Sequence, residues 1–88
     1  MRIIFAGTPE AAVPTLRALL SSSHEVALVI TRPPARRGRG KTMYPSPVAE
    51  VAAESGVQLL ETTTLKTPDI AQRIEEVQAD LGVVVAYG

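Results

Sequence analysis

Four short apolar runs set the frame of this chain: Arg2–Ala6 (RIIFA), Val26–Ile30 (VALVI), Val57–Leu60 (VQLL) and Leu81–Ala86 (LGVVVA). The runs are continuous rather than alternating, which is the pattern of strands buried on both faces of a parallel sheet. Helical stripes separate them. Val13, Leu16 and Leu20, with Ala12 and Leu19, form the first. Thr8 suits its N-cap and Pro9 its first position, where a missing N–H costs nothing. Pro14 falls inside this stripe, so it either kinks the helix or marks its true first turn. Ser46-Pro47 repeats the cap-then-proline signal and opens a second helix to about residue 55, with Gly56 as its stop. Thr67-Pro68-Asp69 opens a third, whose Ile70, Ile74 and Val77 share one face. The order βαβαβαβ predicts an α/β fold, the first half of a doubly wound, Rossmann-like parallel sheet with right-handed crossovers.

The last run adds a constraint. Val83, Val84 and Val85 are consecutive, so both faces of that strand call for cover, as in mid-sheet. In the doubly wound order 3-2-1-4-5-6 the fourth strand lies beside the first with further strands outside it. Residues 1–88 are therefore expected to be the N-terminal part of a larger α/β domain. The alternative is a complete four-stranded domain with an apolar strand at its edge, an aggregation hazard.

Charge is distributed unevenly. The chain carries nine Lys and Arg against nine Asp and Glu, yet residues 32–41 (RPPARRGRGK) hold five of the cations and no acid. Zero net charge argues against bulk attraction to nucleic acid, so any such binding must come from this patch. It lies in the one overlong connection, residues 31–45, and connections of that length tend to be functional or disordered. Arg32, Arg36, Arg37, Arg39 and Lys41 could neutralise phosphates, with Gly38 and Gly40 letting the backbone approach. A solvated basic loop without a partner is the plain alternative. Tyr44 is the single nearby aromatic, which gives base stacking little support.

Other motifs are weaker. Gly7 and Thr8 end the first strand where a doubly wound sheet places its ligand crevice, and backbone N–H groups at a helix start can hold an anion. Ordinary turn chemistry explains the same residues. No second and third glycine follow, so neither the dinucleotide fingerprint nor a P-loop is present, and NAD and ATP are disfavoured. His24 has no second metal ligand at a usable spacing. Glu75, Glu76 and Asp80 read as a solvated face. No Ser/His/Asp set exists. Cysteine is absent, so there is neither a disulfide framework nor a thiolate metal site, in keeping with a cytoplasmic protein. No apolar run reaches the roughly 20 residues of a membrane helix, and the N-terminus lacks a signal-peptide core.

FAGTPE, RRGRGK, PSPV and DLGVVVAYG, in that order over the whole chain, resemble the N-terminal end of the methionyl-tRNA formyltransferase family. The resemblance implies a cytoplasmic enzyme that moves a formyl group from 10-formyltetrahydrofolate to the amino group of methionyl initiator tRNA, without a metal. The family's catalytic Asn, His and Asp lie beyond VVAYG, so no catalytic residue is carried onto residues 1–88. The main contacts to the donor are expected there too. Gly7, Thr8 and Pro9 match the turn lining the substrate crevice. Arg36, Arg37, Gly38, Arg39, Gly40 and Lys41 are the implied tRNA-binding loop, with Arg39 foremost. Arg36 and Arg37 stand where the family more often has Pro and Ala. Pro34-Ala35 replaces Asp-Arg, and Ala11 replaces Phe. The parent is expected to be a monomer, while a fragment of this extent could self-associate through its fourth strand. Two other readings stand beside this one: a formyltransferase acting on a sugar nucleotide, and a non-catalytic RNA-binding module. A generic nucleotide-binding half-domain is disfavoured by the missing glycines.

Overall fold

A computed structural model of the chain describes residues 1–37 and 42–85. Arg2–Gly7 forms β1, Val13–Leu20 α1 and Glu25–Thr31 β2. A short hairpin follows, with β3 at Ala35–Arg37 and β4 at Thr42–Tyr44. Then come α2 (Pro47–Ser55), β5 (Leu59–Glu61), α3 (Pro68–Val77) and β6 (Leu81–Val85). Four strands make one sheet in the order β5-β2-β1-β6, and every neighbouring pair is parallel. This is the alternating α/β, Rossmann-like arrangement that the apolar runs predict.

The side-chain period of two divides the core into two faces. Phe5 and Val29 pack with Leu16 of α1 and with Val48, Val51 and Ala52 of α2. Ile4, Ala6, Leu28 and Ile30 turn the other way and meet Leu60, Leu65, and Ile74 and Val77 of α3. The topology explains this division. The chain steps outward from β1 to β2 to β5, so two right-handed crossovers put α1 and α2 on one face. It then returns across β1 to reach β6, which puts α3 on the other.

Local chemistry sets the ends. Ser46 caps α2, its hydroxyl accepting from the Ala49 N–H at 3.0 Å. Gly56 closes that helix with φ of 72°, a left-handed conformation that a Cβ disfavours. Thr67 caps α3 by accepting from the Ile70 N–H.

Several expectations change. Thr8 does not cap the first helix. A 3-10 turn at Glu10–Ala12 intervenes, Pro9 takes the extended cap position without a side-chain bond, and Pro14 sits in the first turn of α1. There its missing N–H is no loss, so it marks a helix start and no kink. Within residues 31–45, Ala35–Arg37 and Thr42–Tyr44 pair antiparallel, two short strands that the reading as an irregular insertion does not contain. The third strand runs from Leu59 to Glu61, two residues later than the apolar run begins. On β6, Val83 and Val85 pack on the core, but Leu81 and Val84 are 47% and 65% exposed. Val84 lies on the face opposite Val83 and Val85, which the described residues leave open, whereas Leu81 lies on the Val83 face at the start of the strand. Asp80 is exposed, as expected of a solvated acid, and it is also tied to β1: its carboxylate accepts from the Arg2 N–H at 2.8 Å, and its own N–H donates to the Arg2 carbonyl at 2.7 Å.

Candidate nucleic-acid interface

The carboxyl ends of β1 and β2, the root of the hairpin and the start of α2 converge on one cleft of about 320 Å³, lined by Thr8, Arg32, Pro33, Pro34, Tyr44, Ser46 and Thr63. Its floor is a set of hydroxyls. Thr31, fully buried at the end of β2, lies 2.7 Å from the Ser46 hydroxyl. Thr31 also donates, at a long 3.5 Å, to the Thr8 hydroxyl. The Thr8 oxygen accepts in turn from the Arg32 N–H at 3.3 Å. Three elements are tied together in this way where the hairpin leaves the sheet. No buried side-chain oxygen or nitrogen among the described residues lacks a hydrogen-bond partner.

The walls differ from the floor. Arg32 is exposed, and among the described residues no carboxylate pairs with it, the ion pairs being Arg2–Glu25 and Arg17–Glu54. Pro33 and Pro34 follow it, fixing the backbone φ of two residues and holding Arg32 extended. Tyr44 pairs with Ala35 across the hairpin root and is 45% exposed.

The residues expected from sequence separate into groups. Thr8 lines the cleft, whereas Pro9 is exposed and is not among the residues that line it. Gly7 is a matter of packing rather than ligand access. It pairs with Val85, and a Cβ there would lie 2.9 Å from both the Val85 carbonyl oxygen and the Phe5 ring, and 3.0 Å from the Ala12 Cβ. Arg36 and Arg37 contribute their backbones to β3, opposite Met43 and Thr42. Gly38, Arg39, Gly40 and Lys41 lie between the two hairpin strands in sequence, outside the described residues. Sequence reasoning missed Thr31, Ser46 and Thr63 as one site. The available signal was Thr31 itself, a hydroxyl closing an otherwise apolar strand.

Two classes of site find no support among the described residues. No group of three His, Cys, Asp or Glu could hold a metal ion. No helix is long and apolar enough to cross a membrane. The His24 ring meets the start of the chain, its Nδ1 being 3.1 Å from the amino terminus.

Comparison with known proteins adds the family. The profile described as formyl transferase matches residues 1–88. The methionyl-tRNA formyltransferase of Corynebacterium diphtheriae is 54% identical over 93 aligned residues, covering 100% of this chain and 30% of the relative. That of Acidothermus cellulolyticus is 51% identical, covering all of this chain and 27% of the relative. That of Streptomyces coelicolor is 51% identical, with 29% of the relative covered. The chain thus spans under a third of the length of these relatives. A parallel sheet in the order β5-β2-β1-β6, a basic hairpin rooted beside its carboxyl edge and a family match from first residue to last lead to one conclusion: this chain belongs to the formyl transferase family.

Proposed function

We propose that these 88 residues are the amino-terminal part of the catalytic domain of an enzyme that transfers a formyl group from 10-formyltetrahydrofolate to the amino group of methionyl initiator tRNA in the cytoplasm. The observation that carries this reading is identity of 51% or more across the entire chain to proteins named for that reaction. The alignments run through the basic hairpin as well as the sheet, since they cover the whole chain. In this proposal the part played by residues 1–88 is positional. The hairpin, with Arg36, Arg37, Gly38, Arg39, Gly40 and Lys41, approaches the phosphates of the tRNA acceptor end. Such contacts supply affinity and orientation without reading sequence. The turn of Gly7, Thr8 and Pro9 borders the crevice where the amino acid would be presented. No residue here is assigned to the proton transfers, to the oxyanion or to the donor, and none to a metal.

The test is formyl transfer by the full-length protein, measured as labelled formyl-methionyl-tRNA formed from 10-formyltetrahydrofolate. Turnover on methionyl-tRNA supports the reading. Turnover on an amino-sugar nucleotide instead would replace it with the sugar-nucleotide reading. Tight, salt-sensitive tRNA binding by the isolated 88-residue chain, with no transfer by the full-length protein, would favour a non-catalytic RNA-binding module.

A further inference from the structure

We infer that the cleft at the hairpin root is a subsite for a single unpaired nucleotide of the bound RNA, with Tyr44 stacking on the base and Arg32 meeting a phosphate. The inference rests on the functional reading above and goes beyond it, because it concerns the root of the hairpin and not the basic segment between its strands.

Four observations carry it. The cleft is about 320 Å³, at the low end of the roughly 300–1,000 Å³ of small-molecule sites, which suits one nucleotide and not a longer strand. Its lining joins the two chemistries that single-stranded nucleic acid requires: a cation for the backbone and a π-face for the base. Among the described residues of the lining, Tyr44 supplies the aromatic ring, and it is half-exposed where a packed core tyrosine would be covered. Among the described residues of the lining, Arg32 supplies the charge, and none of the described carboxylates pairs with it. The site is also pre-organised. Pro33 and Pro34 stiffen the segment that carries Arg32, and the Arg32 N–H is held by Thr8, so little ordering is left to binding. Hydroxyls of Thr8 and Thr63 line the same cleft and can meet sugar or phosphate oxygens.

The experiment uses the full-length protein with deacylated initiator tRNA, intact or trimmed of its unpaired 3′ nucleotides, in filter binding over a range of salt. Tyr44→Ala should weaken binding of intact tRNA roughly tenfold, as loss of one stacked base does, and leave binding of trimmed tRNA unchanged. Tyr44→Phe should restore wild-type affinity, since it keeps the π-face. Arg32→Ala should lower the salt slope for intact tRNA by about one. Both side chains are exposed, so the denaturation midpoint should not move. Equal affinity of Tyr44→Ala and wild type for intact tRNA overturns the inference. So does an equal loss on intact and trimmed tRNA, or a nucleoside diphosphate that occupies the cleft while trimming changes nothing. If the full-length protein formylates methionyl-tRNA and any of these results is found, the inference alone falls. If it neither binds nor formylates methionyl-tRNA, the functional reading falls as well.

Discussion

The Thr31 and Ser46 hydroxyl oxygens lie 2.7 Å apart, both buried, and join the end of β2 to the N-cap of α2. The chain leaves the sheet at Thr31 to form the hairpin and enters α2 at Ser46. One hydrogen bond therefore closes the base of the excursion. Ser46 serves twice, since the same oxygen accepts from the Ala49 N–H. The bond fixes where the hairpin starts and ends whatever its tip does.

Replacing Thr31 by Val tests this closure. Valine keeps the volume and removes the hydroxyl, which leaves the Ser46 hydroxyl buried with one partner fewer. An unsatisfied buried polar group costs about 1–3 kcal/mol, and denaturant titration of the full-length protein should show a loss in that range. Thr31→Ser should recover most of it. Ser46→Ala removes the cap as well and should cost about 0.5–2 kcal/mol from that source alone. Because the two residues share a bond, the double variant should lose less than the sum. Simple additivity would mean that the hydroxyls do not interact.

The two glycines that matter should fail for opposite reasons. At Gly7 the backbone is ordinary but space is missing, with the Val85 carbonyl, the Phe5 ring and the Ala12 Cβ all within 3.0 Å of an added Cβ. Gly7→Ala should cost about 1–3 kcal/mol by overpacking. At Gly56 nothing lies within 4 Å of an added Cβ, but φ is 72°. Gly56→Ala should cost about 1–2 kcal/mol through backbone strain, and Gly56→Asn, which tolerates this region, should cost less. A smaller-neighbour change such as Phe5→Leu should soften the Gly7 variant and leave the Gly56 variant untouched. If Gly7→Ala is neutral, the close approach of β1 to Val85 is not what holds the glycine.

Much of this was legible in the sequence, and the reasons are physical. Continuous apolar runs such as RIIFA and VALVI specify burial on both faces, which nearly forces a parallel sheet. Ser46-Pro47 and Thr67-Pro68 carry their helix starts within a few residues. The first helix misled because Thr8 and Pro9 satisfy the same local rule but are overruled. Thr8 is drawn to Thr31 and Arg32, partners 23 and 24 residues away that no local window contains. The hairpin was hidden for a related reason. Its strands are three residues each, too short for a period-two pattern, and RPPARR reads as a breaker. The cleft joins Thr8, Arg32, Tyr44 and Thr63 across three connections, and only tertiary structure brings them together.

The basic segment yields a prediction about salt. Arg39→Ala and Lys41→Ala, made in the full-length protein, should weaken tRNA binding on every tRNA sequence alike. Each should lower the slope of log affinity against log salt by about one, since a phosphate contact carries charge but no base information. Filter binding from low to moderate salt measures this. Loss confined to one tRNA sequence would show that the side chain reads bases instead.

Val84 offers the last test, on the 88-residue chain itself. It lies 65% exposed on β6, a strand paired with β1 on one side, and Leu81 is exposed on the same strand. An apolar strand in this position presents both backbone groups and side chains to other copies. The isolated chain should therefore show concentration-dependent association by sedimentation, and Val84→Lys should reduce it by placing a charge on the edge. The same chain should show no formyl transfer, because none of its residues is assigned to the reacting groups. A monomer at high concentration would mean that β6 does not mediate self-association. Measurable turnover would mean that residues 1–88 hold chemistry which their hydroxyls, cations and hairpin-root cleft do not account for.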